Sequence, residues 1–140
     1  LKEINPIETE YKEEYEIISL LYKLSDESIK YKKDSVIYIP KSLNSFWNIS
    51  CDTHMIPFIV PAISNIAMID GMPDAKKQSC YGKLDGYGYR AYINSNILYN
   101  KNTLSKKELC DRAKKLNFKR VIEINKNLKN IIQPIEHECF

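Results

Sequence analysis

A chain of 140 residues, 44% hydrophobic and 28% charged, carries enough apolar side chains to close a core without a metal or cross-links, and too many to stay disordered. Its 21 basic and 18 acidic side chains leave a net charge of +3 and are interspersed along the chain, which argues against nucleic acid as a partner. The nearest approach to a membrane-spanning run, Met55 to Ile69, holds Pro57, Pro61, Ser64 and Asn65, so no spanning helix is expected within these residues.

Asn5-Pro6-Ile7-Glu8 reads as a helix start. Asn5 can cap, Pro6 suits the first helical position where its missing donor costs nothing, and Glu8 completes a capping box. Ile7, Tyr11, Tyr15, Ile18, Leu21 and Leu24 recur at three- and four-residue steps, predicting an amphipathic helix from Pro6 to Leu24. After a polar connector, Ser35 to Ile39 is β-branched and aromatic and is stopped by Pro40. Both faces of this strand are apolar, as in a central strand covered by helices. Residues 41–55 keep no period and read as loop.

Pro57 and Pro61 predict an irregular stretch, then a short helix or strand over Ile63 to Ile69 closed by an Asp70-Gly71-Met72-Pro73 turn. Gly82, Gly86 and Gly88 alternate with tyrosines ahead of a strand over Tyr89 to Ile93. Ser105-Lys106-Lys107-Glu108 is a second capping box. Leu109, Ala113 and Leu116 carry the apolar face of its helix to an end at Asn117, and Phe118 to Ile124 reads as the returning strand. No element is assigned to the tail from Asn125 to Phe140. A helix feeding directly into a strand implies an α/β fold: a single-domain sandwich whose small, at least partly parallel sheet is flanked by helices.

Cys51, Cys80, Cys110 and Cys139 delimit two equal spans. Four cysteines allow three pairings; the spans favour disulfides Cys51–Cys80 and Cys110–Cys139, which would place the chain outside the cytoplasm. Reduced buried thiols are one alternative. The other is a Cys₂His₂ zinc site from Cys51 and His54, in a Cys-x-x-His spacing, with His137 and Cys139, whose His-x-Cys spacing is not a usual one for ligands. No metal or other cofactor is assigned.

Cys51-Asp52-Thr53-His54 puts a nucleophile, an acid and a base within four residues, but adjacent residues seldom face each other productively. Asp52 and His54 therefore support a small secreted hydrolase only as the rival to a noncatalytic reading. Asp70, Asp74 and Asp85 hold carboxylates that no spacing forces together. Trp47, Tyr81, Tyr87 and Tyr89 are the candidate ligand-binding residues, because amphipathic rings stack on the apolar faces of sugars and peptides while their polar groups hydrogen-bond.

The order of an amphipathic helix, the Val36-Ile37-Tyr38-Ile39-Pro40 strand, the Pro57 to Pro73 segment, and the Leu104 to Leu109 helix start leading into Val121-Ile122-Glu123-Ile124 resembles the soluble extracytoplasmic domain that follows the membrane helices of some bacterial polytopic glycosyltransferase-like proteins. The resemblance implies an accessory domain with no catalytic carboxylate of its own. The chain opens at Leu1 with neither methionine nor a signal peptide's apolar core. Residues 1–140 are accordingly expected to be a fragment of a larger membrane-tethered protein, recognising a glycan or peptide and partnered by the parent's transmembrane portion.

Overall fold

The computed structural model describes residues 12–27, 33–43, 46, 56–73, 99–100 and 103–139. Among them the elements run α1 (Lys12–Asp26), β1 (Ser35–Tyr38), α2 (Ile56–Ser64), β2 (Ala67–Met68), β3 (Met72–Pro73), β4 (Tyr99–Asn100), α3 (Lys106–Lys115), β5 (Arg120–Lys126) and β6 (Ile132–Glu138). One sheet has the order β2-β1-β5-β6. β1 lies parallel to both neighbours, with Val36 opposite Ala67 and Val121, and β6 closes the edge antiparallel to β5. β3 and β4 pair in parallel as a separate ribbon. This is the expected α/β class with a partly parallel sheet, and β1 is the buried central strand, with all four residues covered.

Side-chain alternation along β1 and β5 divides the core between the two sheet faces. Ile37, Ile39, Ile122 and Ile124 meet Ile17, Leu21 and Leu24 of α1 and Val60 of α2 on one face. Val36, Tyr38 and Val121 meet Leu109, Cys110 and Ala113 of α3 on the other. The sheet is therefore sandwiched between helices, as its doubly apolar central strand demands.

Two local expectations are corrected. The buried stripe of α1 is Glu14, Ile17, Leu21 and Leu24, whereas Tyr15, placed in the stripe by sequence, is 50% exposed. An aromatic ring and an aliphatic side chain score alike as apolar, but only the second set follows the helix face that meets the sheet; the proposed cap at Asn5 lies outside the described residues. In the second correction, α2 runs unbroken through Pro61 where an irregular stretch was predicted. Pro57 sits in the first turn, where no donor is needed, so Pro61 removes a single intrahelical bond. Ser64 closes the helix: its hydroxyl donates to the Val60 carbonyl at 2.6 Å and accepts from the Ile66 amide at 3.1 Å. The element predicted over Ile63 to Ile69 thus divides into the end of α2 and the short strand β2.

The second capping box forms as read: Ser105 Oγ accepts from the Glu108 amide at 3.2 Å and donates to the Glu108 carboxylate. α3 ends in a Schellman arrangement. Asn117 takes the left-handed conformation (φ 66°), the Phe118 amide donates to the Ala113 carbonyl at 2.8 Å, and the Asn117 amide donates to Lys114. The unassigned tail is an antiparallel hairpin with β5. Its five-residue loop is tied by Asn127 Oδ1, which accepts from the Lys129 and Ile131 amides, and by Asn130 at φ 63°. The strand predicted over Tyr89 to Ile93 lies outside the described residues.

Candidate functional site on the α3 face of the sheet

Tyr38, Glu123 and Ile135 stand in one row across β1, β5 and β6, with Val36, Val121 and His137 in the next row. The Val36 and Val121 row is filled by the apolar side of α3. The Tyr38 row, nearer the carboxyl ends of the parallel strands, carries the polar groups of Tyr38 and Glu123. The Tyr38 hydroxyl is buried and accepts from the Leu104 amide at 3.2 Å. Burial pushes its pKa up, helped by the charges of Asp70 and Glu123 and opposed by the Leu104 hydrogen bond and by Arg112.

Asp70 follows β2 with φ 49°, an uncommon conformation for which aspartate is one of the better-suited residues. Its buried carboxylate accepts from Arg112 Nη1 at 2.7 Å, while the arginine side chain remains one-third exposed at 33%. Burial pushes the Asp70 carboxyl up to about 6 against the pull of the guanidinium. Beside this pair, Glu123 Oε1 meets His137 Nε2 at 2.8 Å and Glu123 Oε2 accepts from Asn125 Nδ2 at 2.7 Å. The contact uses Nε2 of the ring and leaves Nδ1 as its other polar atom.

The location follows from topology. From β1 the chain crosses toward β2, and from β5 it turns toward β6, so connections diverge at the carboxyl ends of β1 and β5. Open α/β sheets hold ligands at such a point. β3 begins two residues after Asp70, and β4 ends four residues before Leu104. Chemically the band offers a guanidinium and an imidazole on a carboxylate among acceptors that are buried or nearly so. Among the described residues, the hydrogen bond of the His137 ring is to Glu123, with no hydroxyl or thiol nucleophile on it.

Of the residues singled out by sequence, Cys110 and Cys139 are joined in a disulfide, with Cα atoms 5.1 Å apart, linking α3 to the residue after β6. Cys139 is thereby committed to sulfur and His137 to Glu123, which occupies the C-terminal half of the zinc set. No group of three potential metal ligands occurs among the described residues. Cys51, Cys80, Asp52, His54, Trp47, Tyr81, Tyr87 and Tyr89 lie outside the described residues. No helix among the described residues is long and apolar enough to cross a membrane. Sequence reasoning missed Glu123 and considered His137 only as a zinc ligand, not as the partner of a carboxylate. The available signal was a carboxylate inside the Val-Ile-Glu-Ile run, and reading it required the hairpin that brings His137 alongside.

No family model matches the chain, and neither curated proteins nor solved structures give a match.

Proposed function

We propose that the chain is a noncatalytic, extracytoplasmic recognition domain of a membrane-associated protein, taking a glycan or peptide at the carboxyl edge of its sheet. The observation that carries the ligand site is the partly exposed Arg112 guanidinium held by buried Asp70, which follows β2 beside the carboxyl end of β1. A few oriented polar groups at the edge of a sheet suit a ligand that combines hydroxyls or amides with apolar faces. The Cys110–Cys139 bond supports an oxidising compartment.

Three measurements test the proposal. Binding to glycan and peptide arrays should be detected for the intact chain and fall at least tenfold in Arg112→Gln; no ligand in either class, or unchanged binding in the variant, overturns the recognition site. In intact cells, Cys110 and Cys139 should react with a membrane-impermeant maleimide only after an impermeant reductant is added. Labelling confined to lysed cells overturns the location. Turnover on a hydrolase panel that is abolished by His137→Gln would replace the noncatalytic reading with one built on the Glu123–His137 pair.

A further inference from the structure

The loop between β5 and β6 exposes apolar side chains that the fold does not require. Leu128 is fully exposed and Ile131 is 55% exposed. The loop's conformation is set by asparagines. Asn127 Oδ1 accepts from Lys129 and Ile131, the Asn127 amide donates to the Ile131 carbonyl at 2.9 Å, and Asn130 supplies the left-handed residue. Polar residues would serve equally at 128 and 131. A turn whose backbone is already tied thus presents a leucine and an isoleucine to solvent, so little backbone entropy remains to be lost when they are buried.

We propose that this hairpin tip inserts its apolar side chains into the interfacial region of an anionic lipid bilayer. Residues 125–131 contain Lys126 and Lys129 and no carboxylate. Lys126 also pairs with Glu13, which ties the first described turn of α1 to the hairpin and leaves Lys129 as the forward charge. A five-residue tip is far smaller than the roughly 800 Å² per partner of a stable protein interface. A bilayer requires no shape complementarity and accepts a small apolar protrusion flanked by cations. The tip lies at the carboxyl end of β5, the same edge as the Tyr38 and Asp70 cluster, so insertion would turn the recognition site toward the membrane surface.

This inference rests on the membrane-associated part of the proposed function and is independent of the ligand: Arg112→Gln should leave vesicle binding unchanged. The test is flotation of the intact, oxidised chain with vesicles of equal phosphatidylcholine and phosphatidylglycerol. Wild type should float. The double variant L128S/I131S, whose thermal midpoint should stay close to wild type because Leu128 is fully exposed and Ile131 more than half exposed, should lose at least tenfold in partitioning, and Lys129→Ser should weaken it severalfold. In Leu128→Trp the added fluorescence should shift to the blue on vesicle addition. Failure of wild type to float, equal flotation of L128S/I131S, an unshifted emission from the Leu128→Trp variant, or a vesicle-free dimer dissolved by L128S/I131S each overturns the proposal.

Discussion

Replacing both Cys110 and Cys139 by alanine removes a bond whose partners are 29 residues apart in sequence. In the chain-entropy account a loop of that length, freed in the unfolded state, costs about 3.6 kcal/mol at 25 °C. Both sulfurs are buried against the Val36 and Val121 cluster, so truncation to alanine adds a small loss of contact and avoids burying a hydroxyl. With an unfolding entropy of about 2.1 cal/mol/K per residue, the 140-residue chain has a total near 0.3 kcal/mol/K, and the midpoint should fall by about 12 °C. Urea denaturation of the oxidised wild type and of C110A/C139A, with Cys51 and Cys80 unchanged in both, gives the difference directly. Equal slopes identify a loss of stability rather than a change in the denatured state. The loop contains all of β5 and β6, and the Cys139 amide also donates to the Lys119 carbonyl at 2.8 Å, so the bond locks an end that the ladder already holds. A loss below 1 kcal/mol, or free alkylation of both cysteines in the unreduced protein, refutes this account.

Three further outcomes follow from local chemistry. Asp70 has a folded value of about 6 against an ordinary 3.8, so the folded state binds its proton more tightly. The stability this group contributes is full below about pH 4 and disappears as pH rises through 6. The two-unit difference corresponds to about 3 kcal/mol, reduced to about 1–2 by screening on the exposed side of Arg112. Subtracting urea midpoints of Asp70→Asn from wild type between pH 3.5 and 8 should reveal that fall, and a flat difference counts against it. Glu14 is buried, its carboxyl oxygens have no hydrogen-bond partner among the described side chains, and burial raises its pKa. Glu14→Leu should therefore stabilise by about 1–3 kcal/mol at pH 7 in urea melts, whereas destabilisation would reveal a partner. At Asn117, φ 66° favours glycine: Asn117→Gly should be neutral or stabilise by up to about 1 kcal/mol, while Asn117→Val should destabilise by about 1–2, read as opposite shifts in thermal midpoint.

Local signals were readable where one residue type has one dominant physical use. Ser105 with Glu108 and the Asn117 terminus fixed α3, and the run from Ser35 to Ile39 gave the central strand, because capping and β-branching act within a few residues. Pro61 misled because its cost depends on context: helix breaking is a loss of one hydrogen bond, and an apolar segment burying Val60 and Ile63 against α1 outweighs it. The β5–β6 hairpin was hidden because asparagine, not glycine, supplies the left-handed turn residue, and Pro134 is a poor strand signal except at the sheet edge it occupies. The polar band depended on that missed hairpin. Glu123 and His137 are 14 residues apart, and only antiparallel pairing brings them to 2.8 Å.

The polar row also argues for use beyond folding. Tyr38 and Glu123 are direct neighbours on the two central parallel strands, one row from Val36 and Val121, which fill the same face with hydrocarbon. Nothing in the sheet's geometry prevents the apolar solution from continuing through the next row. Each polar member instead requires its own partner, Leu104 for Tyr38 and both His137 and Asn125 for Glu123. Removing one member strands another, at about 1–3 kcal/mol. Removing the interacting set together is another matter, since buried polar networks are often replaceable by hydrocarbon at little net cost. The variant Glu123→Leu/His137→Leu should therefore keep its urea stability within about 1 kcal/mol of wild type, while Glu123→Leu alone should fall further. If the pair serves recognition, the stable double variant should lose array binding. A double variant that unfolds would instead make the Glu123–His137 contact a requirement of the hairpin.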